Sequence, residues 1–118
     1  MNYFDQTLEC ASREQIESRQ GRLFLSLMEK LENKNLFYTE KLNRAGLSFE
    51  DIQSLEDLPK VPFTTKSELM ESQEQSPPFG TNLTFPESAY TRFHQTSGTT
   101  GVPLRVLDTE ESLSLIHI

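Results

Sequence analysis

The chain has 118 residues, with 11 Lys or Arg against 18 Asp or Glu, so its formal net charge at pH 7 is −7. This length allows one domain at most, and the acidic balance argues against the basic surface that binds nucleic acid or an anionic membrane. No apolar run approaches the ~18 residues of a membrane span, and the single cysteine, Cys10, excludes an internal disulfide.

The same features bear on location and on metal content. A lone thiol, an acidic composition and the lack of a basic stretch followed by an apolar one at the N-terminus favour a cytoplasmic setting. His94 and His117 are the two histidines and lie far apart in the sequence, so we expect no metal site. We expect no nucleic-acid or membrane partner, and the oligomeric state is not predicted.

The first two helices are predicted from capping signals and apolar spacing. Ser12 and Gln15 have the spacing of a capping box, and the apolar residues that follow repeat at helical spacing as far as Leu31. A second helix is predicted over 36–45, with Gly46 placed to end it. We expect the apolar stripe of the first helix to pack against the body of a larger protein, since a few helices alone bury too little. The stripe consists of Ile16, Leu23, Phe24, Leu27, Met28 and Leu31.

The middle of the chain predicts a turn, an extended segment and a third helix. A short helical turn is expected over 48–58. Pro59 and Pro62 then predict extended chain, because the residue before a proline is pushed out of the helical region. Residues 65–73 predict a further helix, which opens with another capping box.

The character of the sequence changes at Tyr90. Residues 90–96 are β-branched and aromatic and predict a strand, and residues 104–107 predict a returning strand. The small polar segment between them, 97–103, predicts a loop, and a helix is expected to start at 108–111.

The segment that carries chemistry is Thr96–Gly101, which holds four hydroxyl side chains and two glycines. Glycine admits left-handed backbone and leaves N–H groups bare, and successive bare N–H groups form a concavity that binds anions. The pattern therefore predicts a phosphate cradle between two strands. It matches neither a Walker loop, nor a dinucleotide fingerprint, nor a nucleophile elbow. Composition alone leaves open that it is only a flexible polar turn.

Residues Thr96–Pro103 also resemble the Ser/Thr/Gly-rich signature of adenylate-forming enzymes, the acyl-CoA synthetase superfamily. In that family the loop wraps the phosphates of ATP. Flanking motifs resemble the phenylacetate–CoA ligase branch, and the resemblance runs from about Tyr3 to Ser112. Leu104 stands where many superfamily members carry Lys, as is frequent in this branch. The flanking motifs lie at 3–5, 37–42, 45–46, 51–52, 54–59 and 62–66.

The resemblance implies an α/β fold that is incomplete: a helical N-terminal portion plus the first strands of the large domain. Residues 1–89 would form the helical region, 90–112 would start the AMP-binding domain with its phosphate loop, and 113–118 are left as a tail outside the family pattern. No catalytic residue and no metal ligand are implied. The residues implied to contact the ATP phosphates are Thr96, Ser97, Gly98, Thr99, Thr100 and Gly101.

By the same resemblance the chain is an N-terminal fragment of an ATP-dependent, AMP-forming acid–thiol ligase. The parent enzyme would activate an aromatic carboxylic acid as acyl-AMP and transfer it to coenzyme A, with Mg²⁺ shielding the triphosphate. The partners implied are ATP, coenzyme A and a small carboxylic acid. The fragment alone is expected to be inactive.

Two other functions remain open from the sequence. The chain could be a non-catalytic helical interaction module, or its parent could pass the acyl group to an acceptor other than coenzyme A. Isolated reactive residues have plain structural interpretations, which we favour: His94 as a half-buried strand residue, Cys10 as inert, and Lys66 as a solvated residue at a helix start. Arg105 receives no role, because strand alternation can point it away from the loop.

Overall fold

The computed structural model describes residues 5–98 and 101–113. Helices occupy the first two-thirds of the described chain, and a two-stranded sheet follows them. Short 3₁₀ helices lie at Phe49–Asp51, Leu55–Lys60 and Glu87–Ala89. The α-helices are α1 (Gln6–Glu9), α2 (Arg13–Leu31), α3 (Leu36–Arg44), α4 (Lys66–Gln75) and α5 (Glu110–Leu113), and the strands are β1 (Arg92–Gln95) and β2 (Arg105–Asp108).

The structure confirms the predicted capping signals. Each depends on groups three or four residues apart, so local chemistry is enough to form it. At the start of α2 the hydroxyl of Ser12 accepts from the backbone N–H of Gln15, whose side chain accepts from the backbone N–H of Ser12. Gly46 follows α3 with a φ of +71°, a left-handed conformation that suits glycine. The capping box at Thr65 is also present, and α4 continues two residues beyond the predicted end, to Gln75.

The prediction that Pro59 starts an extended segment is wrong. Pro59 lies inside the 3₁₀ helix Leu55–Lys60. The proline ring holds φ near −65°, a value that a 3₁₀ helix accepts. The turn closes when the N–H of Val61 donates to the carbonyl of Leu58 at 3.0 Å. The chain becomes extended only from Val61 onward.

The two predicted strands form an antiparallel pair. The register places Arg92 opposite Asp108 and His94 opposite Val106. Both strands are confirmed with shifted ends: β1 is shorter than the predicted 90–96, and β2 begins one residue after Leu104. The loop predicted between them thus connects neighbouring strands of one sheet.

The core is small and lies among α2, α3 and the first 3₁₀ helix. Leu31, Leu42 and Phe49 form its buried centre. The Cα radius of gyration is 16.5 Å, whereas a compact domain of this length has about 13.5 Å. Much of the predicted apolar stripe stays exposed, with Leu23 at 56% and Leu27 at 48%. Its packing against a larger body remains a prediction.

Polar contacts join α3 to the segment that precedes the sheet. The side chain of Asn35, only 1% exposed, caps α3 by accepting from the N–H of Tyr38 at 3.0 Å. Its Nδ2 donates to Oδ1 of Asn82 at 2.9 Å and to Oγ1 of Thr84 at 3.0 Å. These bonds fix the approach of the chain to β1. None of the helices in the described ranges combines the length and the apolar character needed to cross a membrane.

Candidate functional site

Residues 96–103, here called the Ser/Thr/Gly loop, are closed at the base by Thr96 and Leu104. The N–H of Thr96 donates to the carbonyl of Leu104 at 2.9 Å. The N–H of Leu104 donates back to Oγ1 of Thr96 at 3.0 Å. The side chain of Leu104 is buried, which anchors this end of the loop in the protein. The loop is therefore a closed structural unit whose two ends have a fixed separation.

Glycine conformations set the path of the loop. Gly98 has a φ of +62° and Gly101 a φ of +102°. The N–H of Gly101 donates to the carbonyl of Gly98 at 3.0 Å, which makes a tight turn. A Cβ atom at position 98 would lie 3.2 Å from the nitrogen of Pro103, which is shorter than an ordinary van der Waals contact. Positive φ and close approach both explain why glycine occupies this position.

The sequence-predicted phosphate-binding residues fall into two groups. Thr96, Ser97, Gly98 and Gly101 lie in the described loop, where Ser97 and Gly101 are exposed. Thr99 and Thr100 lie outside the described residues. The oxygen of Thr96 accepts from Leu104, so in this arrangement its hydroxyl hydrogen is what remains to donate to an anion.

Gln73 on α4 also contacts the loop, and sequence reasoning missed it. Its side chain is 3% exposed. Nε2 donates to the carbonyl of Pro103 at 3.0 Å, and Oε1 accepts from the N–H of Arg105 at 2.8 Å. A polar residue among other polar residues of a short helix gives no sequence signal for burial. Only the packing of α4 against the strand reveals it.

The charged residue nearest the loop in sequence points elsewhere. Nη1 of Arg105 donates to the carbonyl of Pro78 at 3.2 Å. This contact directs the guanidinium toward the segment that precedes the sheet. In the same region Phe79 and Phe93 make an edge contact, with ring centroids 6.2 Å apart.

His94 lies on β1 as predicted, with its side chain 52% exposed, and its Nε2 is 3.3 Å from Oδ2 of Asp108. Oδ1 of the same carboxylate accepts from the hydroxyl of Ser112 at 3.2 Å. These contacts join the two strands to α5.

Cys10 and Lys66, the other isolated reactive residues, are exposed. Within the residues that the structure describes, no three His, Cys, Asp or Glu side chains come together as a metal site would require.

An ion pair between α3 and α4 supports the helix that carries Gln73. Nζ of Lys41, a side chain only 9% exposed, donates to Oε1 of Glu68. The hydrogen bond from Lys41, followed by one from the backbone N–H of Thr65, lowers the pKa of Glu68 from 4.5 to about 2. A cleft of about 420 Å³ lies between the two helices at this pair.

Known proteins provide the comparison. No family model matches the chain. It is 33% identical over 108 residues to the phenylacetate-coenzyme A ligase of Thermus thermophilus, an alignment that covers 92% of this chain and 23% of that protein. It is 35% identical over 107 residues to the phenylacetate-coenzyme A ligase of Escherichia coli, covering 90% of this chain and 23% of that protein. The chain thus spans under a quarter of the length of these curated relatives.

Among solved structures, the fold matches 2-hydroxyisobutyryl-CoA ligase in complex with 2-HIB-AMP and CoA. The TM-score is 0.82 at 29% identity, and the match covers 93% of this chain and 23% of that one. The helices and the two-stranded sheet correspond to the N-terminal part of that enzyme. Sequence and fold together identify the chain as one that resembles phenylacetate–CoA ligase and corresponds to the N-terminal part of an adenylate-forming acyl-CoA synthetase.

Proposed function

We propose that the protein carrying this segment is an ATP-dependent, AMP-forming acid–thiol ligase of the phenylacetate–CoA ligase type. It activates an aromatic carboxylic acid as acyl-AMP and transfers the acyl group to coenzyme A. The observation that carries the proposal is the closed Ser/Thr/Gly loop, with glycine conformations at Gly98 and Gly101 and a hydrogen-bonded base. The names of the relatives support the CoA ligase class and the aromatic acid.

The loop acts by positioning the triphosphate. Glycines without side chains let phosphate oxygens reach the backbone N–H groups, and the hydroxyls add further donors. ATP, when bound, supplies the phosphorus that the carboxylate attacks. The loop orients the phosphates and stabilises their charge, which accounts for its effect on rate without a covalent role. The proposed contacts come from Thr96, Ser97, Gly98, Thr99, Thr100 and Gly101.

The donors of the described loop suit a nucleotide phosphate, because hydroxyl and N–H groups bind anionic oxygens. Within the described residues no three His, Cys, Asp or Glu side chains come together, and Mg²⁺ in nucleotide sites is usually held by one or two carboxylates together with substrate phosphates. Following the resemblance, we propose no metal ligand and no catalytic residue in this segment. Residues 1–89 then form the helical support, and 90–112 begin the AMP-binding domain. On this proposal, the segment alone does not turn over substrate.

Carboxylate-dependent exchange of pyrophosphate into ATP tests the loop's role in the full-length protein. Replacing Thr99 and Thr100 together with Ala removes two donors to charged oxygens, each worth about 1.5–3 kcal/mol. We expect exchange to fall by about 100-fold or more. A matched double variant, with Ser88 and Thr91 replaced by Ala, removes two exposed hydroxyls just before β1 and should leave exchange unaltered. Equal activity of the two double variants would sink the proposal.

Product analysis tests the acid and the acceptor. The full-length protein is offered phenylacetate or 2-hydroxyisobutyrate, each with and without coenzyme A. We expect acyl-AMP from the aromatic acid in both conditions and a thioester only with coenzyme A. Acyl-AMP without any thioester would point to another acceptor. Absence of exchange with every acid tested would favour the helical interaction module.

A further inference from the structure

We propose that Gln73 is a positioning residue for the Ser/Thr/Gly loop, a role that rests on the function proposed above. Its side chain joins α4 to the C-terminal end of the loop. The amide is buried at 3% exposure and makes two hydrogen bonds, to the carbonyl of Pro103 and from the N–H of Arg105. The sequence separations are 30 and 32 residues, so the contact is tertiary.

The two bonds have the pattern of strand pairing. In a parallel ladder, the carbonyl of one residue accepts from an N–H, and the N–H of that residue donates to a carbonyl, on residues two apart in the neighbouring strand. The amide of Gln73 does the same toward Pro103 and Arg105. The N–H and carbonyl of the intervening Leu104 bond to Thr96. The backbone at 103–105 is thus fixed on one side by the base of the loop and on the other by α4.

Contacts from other parts of the protein hold the stretch of α4 that leads to Gln73. The neighbouring Ser72 accepts from the N–H of Thr81 through its hydroxyl at 2.9 Å. Earlier on α4, Glu68 is paired with the buried Lys41 of α3. The helix is therefore tied to the rest of the protein at two positions that precede Gln73, one of them its immediate neighbour. A side chain held in this way can restrain the loop rather than follow it.

The consequence for function lies in how firmly the loop is held. An unoccupied anion site binds well when its donors are already oriented, because less conformational freedom is lost on binding. Without the Gln73 amide, a partly buried donor, the N–H of Arg105, and a partly buried acceptor, the carbonyl of Pro103, lose their partners. The loop end at Pro103 then gains freedom, and phosphate binding weakens. On the proposed function the loop contacts the phosphates of ATP, so the KM for the acid should change little.

The test replaces Gln73 by Met in the full-length protein, because Met has similar length and no amide. Gln75→Met is the matched control, since Gln75 is an exposed residue of the same helix that donates to Glu71. We measure hydrogen exchange at the backbone N–H groups of Leu104 and Arg105, of which the second donates to Gln73. We also measure the KM values for ATP and for the carboxylic acid. For Gln73→Met we expect faster exchange and a KM for ATP about tenfold higher, with the KM for the acid within twofold. Gln75→Met should match the wild type in both.

Three other outcomes would each contradict one part of the proposal. Unchanged hydrogen exchange at Leu104 and Arg105 would show that Gln73 does not hold the loop. Faster exchange with an unchanged KM for ATP would show a merely structural role and overturn the positioning role. A wild-type protein without carboxylate-dependent pyrophosphate exchange overturns the proposed function, while hydrogen exchange still decides whether the restraint exists. Should Gln73→Met fail to fold, Gln73→Asn keeps the amide on a shorter side chain and is held to the same expectations.

Discussion

Thr96 and Leu104 form two hydrogen bonds with each other, one between backbone groups at 2.9 Å and one from the Leu104 N–H to the Thr96 hydroxyl at 3.0 Å. Thr96 therefore has a structural role in addition to its proposed contact with phosphate. Its hydroxyl oxygen replaces a backbone carbonyl at the base of the loop, where the sheet pairing of β1 and β2 ends. The same residue thus belongs to the sheet and to the candidate site.

Replacing Thr96 by Val should loosen the base of the loop. Val keeps the shape but leaves the partly buried N–H of Leu104 without its acceptor, at a cost of about 1–3 kcal/mol. We expect faster hydrogen exchange at Leu104 and, given the proposed function, weaker ATP binding in the full-length protein. Thr96→Ser should restore both. Thr91→Val, at an exposed position before β1, is the control and should match the wild type. Slow exchange at Leu104 in Thr96→Val would contradict this account.

The two loop glycines should respond differently to Ala. At Gly98 the new Cβ would lie 3.2 Å from the nitrogen of Pro103, and the φ of +62° is strained for Ala. At Gly101 the φ of +102° is also strained, but nothing lies within 4 Å of the new Cβ. Left-handed backbone costs a non-glycine residue about 1–2 kcal/mol. We expect Gly98→Ala to lower pyrophosphate exchange more than Gly101→Ala does. The reverse order would contradict the geometry.

Gly21→Ala should stabilise the protein. Gly21 lies in the middle of α2, where its backbone is not in the left-handed region. A Cβ atom added there would meet nothing within 4 Å. Ala in a helix interior is favoured over Gly by about 0.5–1 kcal/mol, because Gly loses more backbone freedom on folding. Amide exchange within α2 should slow by a few-fold. Unaltered or faster exchange would mean that α2 is not helical at this position.

Acid should weaken the contact between α3 and α4. In the unfolded chain Glu68 titrates near 4.5, whereas the hydrogen bond from Lys41 lowers its pKa in the folded protein to about 2. The contribution of this carboxylate to stability is complete above pH 4.5 and is lost as the pH falls through 2. Asp57, with its pKa lowered from 3.8 to about 2 chiefly by the hydrogen bond from Lys60, adds a second loss over a similar range.

Urea midpoints measured between pH 2 and pH 7 check the role of Glu68. Glu68→Gln should be less stable than the wild type at pH 7 and should lose less stability on acidification. Glu50→Gln removes an exposed acidic group that lies on a different element and should follow the wild-type curve. Parallel curves for Glu68→Gln and the wild type would contradict the ion pair as the source of the acid response.

Asn35→Asp should destabilise the protein although Asp is a good helix cap. The change keeps the oxygen that caps α3 but turns the Nδ2 donor into an oxygen that faces Asn82 and Thr84. Because the site is 1% exposed, water cannot compensate. We expect a loss of about 2 kcal/mol or more in the free energy of unfolding. Asn43→Asp, exposed on α3, is the control, and an equal loss there would refute the explanation.

Features decided over a few residues could be predicted from the sequence. The capping boxes at Ser12 and Thr65 and the glycine after α3 depend on groups three or four positions apart, so local chemistry fixes them. The loop between two strands and its resemblance to the superfamily signature were equally local. The roles of its six residues at phosphate remain predictions. The expectation for Pro59 failed because its ring conformation fits a 3₁₀ turn as well as extended chain.

Only the tertiary structure decided what holds the loop and the helices together. Gln73 meets Arg105 across 32 positions and Asn35 meets Thr84 across 49, and neither pair has a periodicity or spacing that marks it. Burial selects these polar side chains, because a donor or acceptor removed from water must find a partner wherever the fold brings one. The sequence by itself determined where α2, α3 and α4 begin and singled out one loop, for which phosphate binding stays a prediction. The assembled fold determined which side chains hold that loop in place.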